Sequence, residues 1–599
     1  MADSHDMTDA MAEAHRRYEA ERTKRLRTDG LAQYKELKGE YADLDIDPYV
    51  EPGFSRDPVV ETTSVVIVGG GFAGMLTAVN LTRRGITDFR IIEKAGDFGG
   101  TWYWNRYPGC MCDVESYTYM PLLEETGYMP TMKYAGAPEI FEHCQRIATH
   151  FGLYEHALFQ TEMAEAVWDD ETMRWTVTTS RDDVLTARYV VNAGGLLHKA
   201  KLPGIPGIEN FGGRLFHTSR WDYSFTGGGP TEPMDRLAGK RVGVVGTGAT
   251  AVQVVPQLAK SGAEVFVFQR TPSAVGVRNN GPTDDEWFRS LPEGWQAERM
   301  ENFTSAVSGE KPDVSLVDDG WVETMWDDTQ VPGTTPEETA EKARIDFEVM
   351  EGLRRRVRET IDDPEVAAKL EPWYGKHCKR LCFHDEYLPS FNLPNVHLVD
   401  TDGRGVEQIN EAGVVVDGTE YPLDLLVFAS GFEVTTGYVR RLGYDPTGRD
   451  GLKLSERFAD GGHTLHGILT AEFPNMMIVS TMQAGFGVNF VHFLSRSTEH
   501  IAWLIDTCIT EGIDAIEPTT EAEDAWLMEL FGVAAGMADY TLTCTPGYYN
   551  AEGVVTEEGA RNVTYRGNLN GYIAYLDRWR ESGDFPGATV VRAGSDPDV

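Results

Sequence analysis

The sequence predicts an α/β chain with two Rossmann-like dinucleotide-binding domains and an inserted helical subdomain. Three observations carry this reading. Gly69-Gly70-Gly71-Phe72-Ala73-Gly74 follows a short apolar run and opens an apolar-periodic helix. The same strand–glycine–helix order recurs at Gly246-Thr247-Gly248-Ala249-Thr250-Ala251. Between about 280 and 372 the chain turns charged and mostly helical, with Trp287, Trp295, Trp321 and Trp326 scattered through it. A lone G-x-G-x-x-G is weak evidence, whereas two copies in the right context are strong.

Taken in order, residues 1–42 read as a charged helix or helix pair, with Met7, Met11, Tyr18 and Leu26 as a thin apolar stripe. Residues 43–62 carry Pro48, Pro52, Gly53 and Pro58 and read as a linker or wrapping arm. The extension is expected to sit on the body rather than trail as a solvated tail.

Ser64–Val68 is a buried strand by its continuous apolar run. Gly69, Gly71 and Gly74 let the backbone approach a pyrophosphate, whose charge faces the helix N-terminus. The helix runs to about Arg84, and Gly85 stops it. A second strand, Phe89–Ile92, ends at Glu93, nineteen residues past Gly74. That is the position of an acid accepting ribose hydroxyls. Next comes Gly99-Gly100-Thr101-Trp102-Tyr103-Trp104-Asn105-Arg106-Tyr107-Pro108-Gly109. Its aromatics suit a wall for a flat cofactor ring or a core patch. Cys110 and Cys112 are too close in sequence for a redox disulfide and read as structural.

Residues 131–190 look mixed, with strands near Glu165–Trp168 and Trp175–Thr179. Tyr189–Ala193 suits a strand returning to the first nucleotide site. In Phe211-Gly212-Gly213-Arg214-Leu215-Phe216-His217-Thr218-Ser219-Arg220-Trp221-Asp222, His217 could be a satisfied core histidine or order an interdomain hinge.

The second unit has its strand at Arg241–Val245 and its next strand at Val265–Phe268. The latter ends in Gln269-Arg270-Thr271-Pro272, with no acid. An acid would repel a 2′-phosphate and Arg270 would attract one. The first site therefore suits FAD or NAD and the second NADP. Lys379-Arg380 reads as a solvated pair on residue type alone. Asp424–Phe432 is an apolar strand expected to return to the first sheet. Phe473–Val479 is a further strand, Ser497–Thr510 and Gly571–Glu581 are helices, and the residues after Ala593 look disordered.

Lys and Arg total 54 against 94 Asp and Glu, for a net charge of −40. That argues against nucleic acid or anionic membranes as partners. Seven cysteines in 599 residues suggest reduced thiols and a cytoplasmic protein. There is no apolar run of the ~18 residues a span needs, no secretory h-region and no metal-ligand spacing.

These residues together resemble the type I Baeyer–Villiger monooxygenases, which use FAD, NADPH and dioxygen to turn ketones into esters or lactones. The F-x-G-x-x-x-H-x-x-x-W-[PD] fingerprint is met by Phe211, Gly213, His217, Trp221 and Asp222, between the two glycine motifs. G-G-x-W-x-x-x-x-[FY]-P-G-x-x-x-D is met by Gly99, Gly100, Trp102, Tyr107, Pro108, Gly109 and Asp113. The resemblance runs from about 62 to 590. The N-terminal extension and the Cys544 loop are similar to the cyclopentadecanone monooxygenase subgroup, which takes large and bulky ketones.

The resemblance implies roles. Arg380 would be the active-site arginine beside the flavin and Asp113 its carboxylate partner. Gly69, Gly71, Gly74, Glu93, Gly100, Thr101, Trp102 and Tyr107 would serve FAD, and Gly246, Gly248, Arg270, Thr271 and Lys379 NADP. His217 and Trp221 would act structurally between domains. Cys544 stands where many members carry a loop tryptophan, which bears on the shape of the pocket. The cofactors would carry the redox work, with a ketone and O2 as small-molecule partners. Two rivals remain: a flavin monooxygenase oxygenating N or S atoms, and a non-catalytic NADP-binding flavoprotein. The expected division is 1–60 extension and linker, 61–200 FAD domain first part, 201–400 NADP domain with the insertion, and 401–599 FAD domain second part with C-terminal loops. Oligomeric state is left open.

Overall fold

The computed structural model describes residues 2–592 apart from 311, 328 and 330–332. The expected disorder after Ala593 lies outside these residues.

The first sheet is built on Val60–Val68. Val65, Val66 and Ile67 are fully buried, as a strand covered on both faces requires. It pairs in parallel with Phe89–Ile92 on one side and Val184–Asn192 on the other. Val184–Asn192 then divides its far edge. Val184–Ala187 pairs antiparallel with Arg174–Thr179, while Val190–Asn192 pairs in parallel with Met476–Ile478. Arg174–Thr179 and Met163–Asp169 complete an antiparallel hairpin close to the expected strands.

The second sheet is five parallel strands in the order Val396–Asp400, Glu264–Gln269, Arg241–Val245, Leu425–Phe428, Arg214–His217. This corrects one expectation. Leu425–Phe428 joins the second sheet, and the chain re-enters the first sheet as a strand at Met476–Ile478, after a single bridge from Thr447 to Val167. Both sheets take continuous apolar runs, so Leu425–Phe428, fully buried at all four residues, suits either interior by pattern alone.

The helix after each glycine turn sets the site. Phe72–Arg83 and Ala249–Lys260 both begin after an extended glycine, Gly71 or Gly248, with no side-chain N-cap. Their first N–H groups are thus left to another acceptor. Helices beginning after Asp284, Thr335, Asp363 and Thr519 in the same chain carry side-chain caps. Phe72–Arg83 buries most of its length against Phe490–Thr510, with Asn80 donating to Thr498 Oγ1 at 3.2 Å.

The insertion is helical, as expected, with Trp295–Ala306, Gly320–Met325, Pro336–Thr360 and Pro364–Leu370 as its longer pieces. The N-terminal extension also sits on the body. Its helix Ala2–Arg25 leads to Tyr34–Lys35, which pairs with Leu202–Pro203. Asp45 then takes Lys94 Nζ at 2.6 Å and Arg220 Nη2 at 2.8 Å, tying the linker to both nucleotide units.

Candidate active site between the two sheets

A cleft of about 2520 Å³ runs between the two glycine turns. Single ligand pockets are usually ~300–1,000 Å³, so this space suits two dinucleotides and a substrate. Its walls include Gly69, Gly71, Glu93, Gly100, Thr101, Trp102, Tyr107, Asp113, Gly246, Gly248, Arg270, Thr271, Lys379 and Arg380. Of the residues assigned to the cofactors, Gly74 alone lies beneath this wall. A Cβ on it would meet Gly69 O at 1.8 Å, so its role is to let the helix close on the turn.

The first turn has the form a pyrophosphate needs. Gly69 has φ +109°, and a Cβ on Gly100 would meet Gly71 Cα at 2.7 Å. Two backbone segments therefore meet where no side chain fits. Glu93 is buried and accepts from Gly70 N and from Ala95 N at 2.6 Å. Burial raises its carboxyl, and the two amides oppose this. The aromatic loop is both core and wall. Tyr103 packs edge-on to Trp104 at 5.0 Å and Trp102 edge-on to Tyr119 at 5.6 Å, while Trp102 and Trp104 also face the cleft. Tyr107 donates to Gln253 Oε1 at 2.7 Å, which docks the loop on the second nucleotide helix. Cys110 and Cys112 are buried free thiols.

Arg380 and Asp113 meet as a two-pronged pair. Nη1 reaches Oδ2 at 2.5 Å and Nη2 reaches Oδ1 at 2.7 Å. Burial would raise the Asp113 carboxyl, but the guanidinium outweighs it and holds the group below the usual carboxylate range. The pair is braced by groups that sequence reading missed. Trp321 Nε1 donates to Asp113 O at 2.8 Å, and its ring lies 5.2 Å from Arg380 Cζ. Arg278 donates to Cys112 O at 2.7 Å. A tryptophan in a helical insertion carries no sequence signal for such a role.

Lys379 separates from its neighbour. Its Nζ donates to Pro546 O at 2.8 Å, and burial, followed by the Arg270 charge, draws its ammonium down to about 7. Arg270 donates to Gln33 Oε1 and Glu552 Oε2, both at 3.0 Å. Thr271 accepts at its hydroxyl from Arg25 Nε at 2.9 Å. The extension thus supplies Arg25, Gln33 and Tyr34 to this corner.

The fingerprint residues Phe211, Gly213, His217, Trp221 and Asp222 stand outside the cleft wall. A Cβ on Gly213 would meet Asp424 O at 2.7 Å. His217 lies 3.1 Å from Gly431 O and accepts from Ser219 N through Nδ1. Burial, then Arg220, pulls the imidazole to about 3, so it is neutral and donates through Nε2. Trp221 is fully buried, and Asp222 caps the short Tyr223–Thr226 helix and pairs with Arg214.

Cys378 and Cys544 form a disulfide across 166 residues, which corrects the expectation of reduced thiols. It ties the late loop to the residue before Lys379. No spacing rule links cysteines so far apart. Among the described residues no helix is long and apolar enough to cross a membrane.

A family described as pyridine nucleotide-disulphide oxidoreductase matches residues 66–282. Baeyer-Villiger monooxygenase ATR8 of Stachybotrys chlorohalonatus is 46% identical over 596 residues, 98% of this chain and 95% of that protein. The polycyclic ketone monooxygenase of Thermothelomyces thermophila has the same fold at TM-score 0.91 and 39% identity, over 97% of this chain and 99% of that one. OTEMO in complex with FAD and NADP superposes at TM-score 0.76 and 26% identity, over 90% and 100%. The two-site cleft and these likenesses over nearly the full length agree, and the chain belongs to the Baeyer–Villiger monooxygenases, flavoenzymes that use FAD and NADPH to insert one oxygen atom of O2 beside a ketone carbonyl.

Proposed function

We propose that the substrates are large-ring or fused-ring ketones, and that Arg380 is the charged group that serves oxygen insertion. The observation that carries this is the Arg380–Asp113 pair in a cleft of about 2520 Å³, which both glycine turns line. The likeness to a polycyclic ketone monooxygenase supports the substrate class. The flavin, reduced by NADPH, supplies the oxygen-activating chemistry when bound. Asp113 fixes the guanidinium plane, and Trp321 fixes Asp113. The free edge of Arg380 then presents preorganised donors to negative charge that develops on the reacting oxygen atoms.

Gly69, Gly71, Gly100 and Glu93 would hold FAD, and Gly246, Gly248, Arg270 and Lys379 would hold NADP with its 2′-phosphate at Arg270. The first sheet and the segments returning to it form the FAD part, and residues 201 to about 430 form the NADP part. The test is mass spectrometry of products from ketones of rising ring size, with fused-ring members. Lactones formed only from small rings would refute the substrate assignment.

A further inference from the structure

The corner assigned to the NADP 2′-phosphate contains an anion of the protein's own. Glu552, 2% exposed, comes from the late loop. Its Oε1 accepts from Tyr34 OH at 2.8 Å and from Lys201 Nζ at 3.1 Å, and its Oε2 from Arg270 Nη2 at 3.0 Å. Lys201 is itself buried, with its ammonium 3.8 Å from the centre of the Tyr34 ring. The Glu552 carboxyl is held down at about 2: burial opposes this, and Arg270 and Lys201 override it. The group is a full carboxylate seated on three donors.

The charge of Arg270 is compensated while this lasts. Nη2 is on Glu552 and Nη1 is on Gln33. A guanidinium reads phosphate best through a two-pronged edge, and each of its terminal nitrogens has one of two N–H groups engaged. The carboxylate is also held at a local cost. Ala551 and Glu552 both lie in the left-handed region, at φ 47° and 59°, which residues with a Cβ rarely adopt. Lys379, the other cation of the corner, holds the same loop through Pro546 O.

We propose that Glu552 is an internal stand-in for the 2′-phosphate, which NADPH displaces from Arg270 and Lys201 as it binds. This rests on the reading of Arg270 given above. The loop then keeps the cations of the corner neutralised until a 2′-phosphate arrives, at a cost in NADPH affinity. A nucleotide with a 2′-phosphate replaces the carboxylate with a stronger anion on the same donors. NADH has nothing to put there, so Glu552 remains and NADH affinity does not depend on it.

The test is direct binding to the FAD-loaded protein, by calorimetry with NADP⁺, NAD⁺ and 2′,5′-ADP. Glu552→Gln removes the competing charge and keeps the shape. NADP⁺ and 2′,5′-ADP should bind about tenfold tighter or more, the worth of a charged hydrogen-bonded competitor, with NAD⁺ unchanged. Tyr34→Phe, which removes a donor from Glu552 and keeps the ring beside Lys201, should shift binding the same way by less. It also covers the case in which Glu552→Gln fails to fold. Unchanged or weaker NADP⁺ binding in both variants would overturn the proposal, since a co-ligand or a mere brace would give that. Arg270→Ala separates the premise. If it leaves the NADP⁺ over NAD⁺ preference intact, the assignment of Arg270 fails. If the preference is lost but Glu552→Gln does not tighten binding, the stand-in alone fails.

Discussion

Replacing Arg380 with alanine tests the centre of the proposed site. Two of the guanidinium's five N–H groups are committed to Asp113, at 2.5 and 2.7 Å, and a third goes to Leu381 O at 3.1 Å. The side chain is still 32% exposed, so an outer edge faces the cleft. That edge is held in place before any substrate arrives. Losing one preorganised donor of this kind costs roughly 10²–10³ in rate, or ~2.7–4 kcal/mol. Ester formation in Arg380→Ala should fall by that amount. Flavin reduction should slow as well, because the same charge favours an anionic reduced ring. Arg380→Lys should rescue poorly, since a point charge cannot span both oxygens of Asp113. Asp113→Ala should give a milder version, because the fork keeps its charge and loses its aim. Ester yield and NADPH consumption measured together, with rapid-mixing flavin reduction alongside, separate these effects. A stable Arg380→Ala that still makes ester at close to the wild-type rate removes this residue from the reaction.

Three further expectations follow from other parts of the cleft. Gly74→Ala places a Cβ 1.8 Å from Gly69 O, so the protein should purify with little flavin absorbance; full yellow colour would mean that the turn does not hold FAD. Lys379, at about 7, should take up a proton when the phosphate binds, so NADPH affinity should weaken above pH 7 by up to about one decade per unit, while NADH shows no slope. Its effect on stability has the opposite sense. The folded pKa lies below the unfolded ~10.4, so the contribution is fully present above that value and is lost as pH falls toward 7; a flat cofactor profile in wild type and Lys379→Met alike would exclude this lysine from the phosphate site. Cys544→Ser should lower stability by ~2–4 kcal/mol, the usual worth of a long cross-link; a melting temperature equal to wild type, and insensitive to reductant, would show that the cross-link contributes nothing.

Much of the architecture was legible because nucleotide binding writes itself into local sequence. Each glycine turn lies within one βαβ unit, and Glu93 or Arg270 ends the next strand. The tightness at Gly74 and Gly100 is steric, so glycine stands there whatever surrounds it. Strand membership was not legible in the same way. Leu425–Phe428 and Tyr189–Val191 are both apolar runs leading into small residues, and nothing local says which sheet a run enters. Met476–Ile478, the true return to the first sheet, has only three residues.

The site shows the same division between local and distant signals. Arg380 and Asp113 come from segments 267 residues apart, and they were paired only because each lies in a family motif. Glu552 and Tyr34 lie 518 residues apart, in no motif, and charge alone could not pair them in a chain with 94 acids. Yet the two ends of the chain meet on one cation cluster. The extension brings Arg25, Gln33 and Tyr34, and the late loop brings Glu552 and, through Pro546, a hold on Lys379. The Cys378–Cys544 link fixes that loop beside the cluster. An extension that is merely a solvated tail has no cause to bury Arg25 against Thr271 or to place Tyr34 on a carboxylate. If Arg270 holds the 2′-phosphate, these residues belong to the cofactor corner as much as the glycine turns do, and affinity for the phosphate is tuned where the two ends of the chain converge.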